Sequence, residues 1–151
     1  MNICEVIQII NQMRADGVIE RYAVGGAVGA TFYLEPVATL DVDVFVSFKP
    51  EAGSVISGWP VQFLPPGGPL GEEALAQAVE KDVDGTSVRV FTAEHLAAVA
   101  LQTGRAKDKA RLLQFIEAGV LDSARFQAVL ARHGLIAAWQ RFEQQFLRDQ
   151  P

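Results

Sequence analysis

Two carboxylates, Asp41 and Asp43, are separated by a single residue in the run from Leu40 to Phe48, LDVDVFVSF. The run alternates. Val42, Val44, Val46 and Phe48 share one face of a strand, and Asp41, Asp43, Phe45 and Ser47 share the other. Residues two apart on a strand project from the same face, about 6.6 Å apart along the chain. Carboxylates held this way repel each other unless a cation lies between them. Mg2+ fits that role, because it takes oxygen ligands from one or two carboxylates and completes its shell with water and phosphate oxygens. The apolar face must be buried, which leaves the acidic face on a groove or in solvent. A half-exposed strand whose polar face is incidentally acidic gives the same pattern.

The segment before the acidic strand sharpens this reading. Tyr22-Ala23-Val24-Gly25-Gly26-Ala27 places two glycines between a short strand and a short apolar helix. Glycine lets backbone approach a phosphate closely, and a helix N-terminus offers unpaired N–H groups. Gly-Gly by itself is only a turn signal. Followed by the acidic strand, it describes an anion cradle beside a cation site, the arrangement that a nucleoside triphosphate with its Mg2+ requires.

The run from Tyr22 to Val46, YAVGGAVGATFYLEPVATLDVDVFV, resembles the nucleotidyltransferase superfamily. The family pattern is a hydrophobic strand, Gly-Gly or Gly-Ser, a short helix, then Asp-x-Asp on the next strand. The similarity is greatest to the minimal bacterial branch that includes the abortive-infection-type toxins. It extends more weakly to PVQFLPP (60–66) and to EHLAAVALQTGRAKDKARL (94–112). The resemblance implies an α+β fold, with a mixed β-sheet flanked by helices and a helical C-terminal part. It also implies Mg2+-dependent transfer of a nucleoside monophosphate from a triphosphate to an acceptor that the sequence does not name, with RNA and protein both open. On that resemblance Gly25 and Gly26 correspond to the phosphate-contacting pair, and Asp41 and Asp43 to the metal ligands and catalytic carboxylates.

Three positions depart from the family pattern. Its third carboxylate lies on the following strand, where this chain has Gln62. An amide can accept a hydrogen bond, but it cannot take a proton from an attacking hydroxyl at neutral pH. Toxin-type relatives carry a Lys where this chain has Ala100, and an acidic residue where Arg111 follows Lys107-Asp108. The departures leave open a chemically lapsed member of the fold that binds nucleotide or another protein. Asp82 or Asp84 could supply a replacement carboxylate, with nothing in the sequence to set either beside Asp41.

Arg105, Lys107, Lys109 and Arg111 form a basic cluster. Lys107 and Arg111 are four apart, share a helix face and are candidates for nucleotide phosphate contacts, unless the cluster is simply a solvated face. Asp108 is placed to pair with Arg105 or Arg111. His95 and His133 lack metal-ligand spacing and read as structural or surface residues. Cys4 reads as a packed residue of the first helix. As the only cysteine, it excludes a disulfide framework and a cysteine-rich zinc site.

The elements that must position these groups follow from pattern and punctuation. The chain has 151 residues, half of them apolar and 21% charged, enough for a core and too apolar for a disordered chain. We expect one domain, 1–151, with a sheet-containing core over 1–91 and a helical subdomain over 92–151. Met1–Gly104 holds 5 basic and 13 acidic residues, while Arg105–Pro151 holds 8 and 5. A longest uncharged apolar run of Leu96–Leu101 in the C-terminal half is far short of the roughly 20 residues of a membrane span. The expected location is cytoplasmic, with no membrane partner and no oligomeric state assigned. Helices are expected over 5–15, 27–34, 71–80, 93–103, 107–118 and 123–132, with a last helix carrying the stripe Leu135, Trp139, Phe142 and Phe146. Strands are expected over 19–24, 40–48, 61–64 and 87–91, with a partly helical connection over 50–59.

Overall fold

The computed structural model describes residues 3–34, 42–46, 54–56 and 59–147, in two compact units, Met1–Thr92 and Ala93–Pro151. The first unit runs α1 (Ile3–Ala15), β1 (Tyr22–Gly25), α2 (Gly26–Ala30), β2 (Val42–Val46), β3 (Ser54–Ile56), β4 (Trp59–Leu64), α3 (Pro69–Ala76), β5 (Val79–Val83) and β6 (Thr86–Val90). The described strands form one sheet in the order β3-β4-β2-β1-β6-β5. It is mixed: β1 runs parallel to β6 and β2 parallel to β4, while the other neighbours are antiparallel. The fold is α+β.

The alternation in the acidic strand decides which way β2 faces. Val44 and Val46 are fully buried, and they join Val6, Ile7 and Ile10 of α1 and Val88 and Val90 of β6 in one core. Each such side chain contributes about 1.5–3 kcal/mol when buried. Helix α1 is fixed to the sheet by polar contacts as well. Asn11 donates from Nδ2 to the Ser87 carbonyl at 2.8 Å and accepts from the Tyr22 hydroxyl at 2.6 Å. Asp43 and Phe45 alternate out of this core to the other face, where the Phe45 ring lies 4.9 Å from that of Phe91.

Several segments differ from expectation: the strand expected over 19–24 starts only at Tyr22, the helix expected over 27–34 ends at Ala30 and gives way to a turn, and two further segments change type. Residues 50–59 were expected to be a partly helical connection, yet Ser54–Ile56 forms β3, a hairpin partner of β4 with Ile56 opposite Trp59. The β-branched residues Val55 and Ile56 favour extended backbone. The helix expected over 71–80 stops at Ala76, and Val79–Val83 is strand β5. Asp84 and Gly85 both adopt positive φ (49° and 85°), the conformation that closes a tight hairpin, so β5 is drawn onto β6 despite its polar sequence.

The second unit contains α4 (Ala93–Thr103), α5 (Ala106–Ala118), α6 (Ser123–Arg132) and α7 (Ile136–Phe142), which continues as a π-helical turn over Glu143–Leu147. Gly119 ends α5 in the left-handed conformation. The Asp122 side chain caps α6 by accepting from the Arg125 N–H, while the Asp122 N–H donates to buried Glu94 of α4 at 3.1 Å. In the aromatic stripe Leu135 and Phe142 are buried and Trp139 and Phe146 half-buried: Phe126 meets Trp139 edge-on at 5.0 Å, and Phe142 stacks on Trp139 at 5.7 Å.

Candidate functional site: the glycine turn and Asp43

The centre of the first unit's sheet brings three candidate positions into one row. In the antiparallel β1–β2 pair Gly25 lies opposite Asp43, and in the parallel β2–β4 pair Asp43 lies beside Gln62. Neighbouring strands are about 4.8 Å apart, so the row spans two strand spacings. Strand β1 is buried along its whole length, which holds the turn at its end in place.

The turn itself leaves no room for side chains. A Cβ on Gly25 would come within 2.7 Å of the Phe45 ring and 3.1 Å of the Phe91 ring. A Cβ on Gly26 would overlap Oδ2 of Asp43, and Gly26 sits at φ 60°, where L-residues are strained. The glycine pair therefore does two jobs: it turns the chain from β1 into α2, and it lets the half-buried Asp43 carboxylate lie against the turn's backbone. Phe45 and Phe91 wall this corner. Phe91 was not anticipated as part of the site, and its signal lay in its place directly after β6, the parallel neighbour of β1.

Asp41 lies outside the described residues. Gln62 is fixed as the register neighbour of Asp43. Asp82 and Asp84 are not brought to this corner. Strand β5 is separated from β2 by β1 and β6, about 14 Å across the sheet, and register places Asp82 and Asp84 toward the opposite end from Gly25. Asp82 instead accepts from the Gly85 N–H at 3.1 Å, and Asp84 lies 3.7 Å from the Cys4 thiol.

Lys107 and Arg111 belong to the second unit, on α5. Lys107 is exposed and Arg111 half-buried. Arg105 is committed elsewhere: its Nε donates to Asp108 Oδ2 at 2.6 Å and its Nη2 to Oδ1 at 3.3 Å. The Thr103 hydroxyl and the Arg105 N–H add donors at 2.8 and 3.2 Å, which closes the first turn of α5 around a buried carboxylate. Burial alone would raise the Asp108 pKa, but these donors outweigh it and hold the group below its usual value. Ala100 and His95 are buried in α4. Among the described residues, no three or more His, Cys, Asp or Glu side chains converge on a common point, and no helix is long and apolar enough to cross a membrane.

No protein-family model matches the chain, and no curated protein matches it. Among solved structures it is similar to the crystal structure of an antigenic nucleotidyltransferase-like protein from Paracoccidioides brasiliensis, with 15% identity, 91% of each chain covered and a TM-score of 0.56. The fold is nucleotidyltransferase-like. At that identity the likeness is one of architecture, and within the nucleotidyltransferase-like sheet the glycine turn and Asp43 are this chain's own placement of the residues singled out above.

Proposed function

We propose that the chain binds a nucleoside triphosphate with Mg2+ at the Gly25–Gly26 turn and transfers the nucleoside monophosphate to a hydroxyl on an RNA or protein acceptor. One observation carries the proposal: the Asp43 carboxylate lies against a glycine backbone that tolerates no Cβ. That corner suits a hard cation. Asp43 supplies an oxygen ligand on a buried strand, and the glycines let its carboxylate lie directly against the backbone of the turn. Asp41, two residues earlier on the same strand pattern, is assigned the second ligand. Bound there, Mg2+ would offset negative charge on the phosphate oxygens. In the transfer, the acceptor oxygen bonds to the α-phosphorus, the bond from that phosphorus to the pyrophosphate oxygen breaks so that pyrophosphate leaves, and the acceptor hydroxyl gives its proton to solvent. We place this activity in the cytoplasm and beside the abortive-infection-type toxins, the latter on the motif resemblance alone. Lys107 and Arg111 are assigned as a phosphate-binding pair in their own right on α5, from their charge and spacing.

A second reading, binding without efficient transfer, is favoured by the register of Gln62 with Asp43. An amide at that position leaves the acceptor's proton without a base from this strand. The same protein would then serve as a nucleotide sensor or as a module that pairs with another protein.

The deciding experiment measures Mg·ATP binding by calorimetry and label transfer from α-labelled nucleotides to RNA and protein acceptors. Asp43→Asn and Asp41→Asn together should abolish both. Wild-type binding without transfer selects the second reading. Unchanged Mg·ATP binding by the double variant would refute the site.

A further inference from the structure

The second unit contains a cavity that the nucleotide site does not use. It has a volume of about 280 Å3 and lies among the end of α4, the start of α5, and α7 with its π-helical extension. Buried Ala100, Leu112 and Phe142 form its floor, and Phe146 forms one wall. Among the described residues its charged lining is cationic, Lys109 and Arg141, with no carboxylate. Lys109 is half-buried with its ammonium 5.9 Å from the Phe146 ring centre. Among the described residues, the exposed Arg141 guanidinium has no hydrogen-bond or ion-pair partner. The wall bearing Phe146 and Gln145 is the π-helical turn, an irregularity that raises the helix's local cost and recurs at functional sites.

We propose that this cavity binds a small amphipathic carboxylate, with its apolar body on the Ala100–Leu112–Phe142 floor and its carboxylate between Lys109 and Arg141. Size limits the ligand. At about 280 Å3 the cavity lies at the small end of ligand pockets, which run from roughly 300 to 1,000 Å3, and so suits a small molecule. Chemistry limits it further. The apolar floor disfavours a sugar or a free phosphate, and two cations without a carboxylate disfavour an amine. Arg141 offers a planar fork that matches a carboxylate in two parallel hydrogen bonds, and Lys109 adds a point charge. A competing role for the two cations is structural. Gly104 closes α4 at the cavity's rim, where cations also favour the exposed carbonyls of a helix end.

Octanoate, with ten non-hydrogen atoms, is the probe. Titrated into the full-length protein and followed by calorimetry, it should bind with one site per chain, and octylammonium should not. Arg141→Gln and Lys109→Gln should each weaken octanoate binding about tenfold or more, while circular dichroism shows the fold retained. Ala100→Leu should fill the floor and block binding. Because it also alters the core, Leu101→Trp, at a half-buried lining position, serves as a second blocking variant. Octanoate binding that is unaffected by both charge variants would overturn the proposal, as would equal binding of octylammonium or no binding at millimolar octanoate. A lowered Tm in Arg141→Gln with unchanged octanoate affinity would overturn it in favour of the helix-end role.

Discussion

Oδ2 of Asp43 occupies the space that a Cβ on Gly26 would need. The glycine is therefore required twice, once for its φ of 60° and once for the carboxylate beside it. Gly85 separates the two requirements, since it has φ 85° with nothing within 4 Å of its would-be Cβ. Gly85→Ala should cost only backbone strain, about 1–2 kcal/mol. Gly26→Ala should cost at least about 1 kcal/mol more, because Asp43 must move or β1 and β2 must separate. Urea unfolding of the two variants checks this. Equal losses would mean that Asp43 is not held against the turn.

Asp108 gives a pH test of the second unit. Its folded pKa lies below the usual carboxylate value because hydrogen bonds from Arg105 and Thr103 outweigh the effect of burial. A carboxylate with a depressed folded pKa contributes stability that is present above its unfolded pKa, about 3.9, and lost as pH falls through the folded value. Asp108→Asn should therefore destabilise the protein by about 1.5–3 kcal/mol at pH 7, the range for hydrogen bonds to a charged group. The difference between variant and wild type should shrink steadily below pH 4. Thermal melts at pH 7, 5, 4 and 3 measure it, and a gap constant with pH would contradict the assignment.

Cys4 should be a poor nucleophile. Its thiol is buried and donates to the Val83 carbonyl at 3.1 Å. Burial, and after it the nearby Asp84 charge, push the thiol pKa up, which depletes the reactive thiolate at neutral pH. Labelling with a thiol reagent at pH 8 should run at least about tenfold slower in the native protein than in urea. Asp84→Asn keeps a residue that tolerates the positive φ of this turn and should speed the native reaction. Native labelling as fast as in urea would show that the α1–hairpin contact opens freely.

The legible and illegible parts of this chain divide along physical lines. Helices α4 to α6 could be read nearly to the residue, because Gly104, Gly119 and Gly134, all at positive φ, punctuate the chain after them. The inward face of β2 was also local, carried by the alternation of Val44 and Val46 against Asp43 and Phe45. Strand β5 was not, because Val-Glu-Lys-Asp-Val has an edge strand's polarity and becomes extended only when the Asp84-Gly85 turn lays it on β6. The apposition of Gly26 and Asp43 was equally hidden. The two residues are 17 apart in sequence, and only the antiparallel register of β1 with β2 brings them together.

Gln62 allows a direct test of whether a cation belongs at this corner. It is the register neighbour of Asp43 in the parallel β2–β4 pair. Gln62→Asp would set two carboxylates side by side in the sheet, and like charges on adjacent strands are destabilising, by about 0.2–1 kcal/mol for exposed pairs. Without metal the variant should therefore melt below wild type, whereas Gln62→Asn, equally short and neutral, should lose less. Added Mg2+ should reverse the order. A cation that binds only the folded state at ten times its Kd contributes about 1.4 kcal/mol, more than the repulsion takes away. Melting curves in EDTA and in millimolar Mg2+ for the three proteins make the comparison. If Mg2+ shifts Gln62→Asp no more than Gln62→Asn, the corner is not a divalent-cation site, and the glycine turn must be read as packing around Phe45 and Phe91.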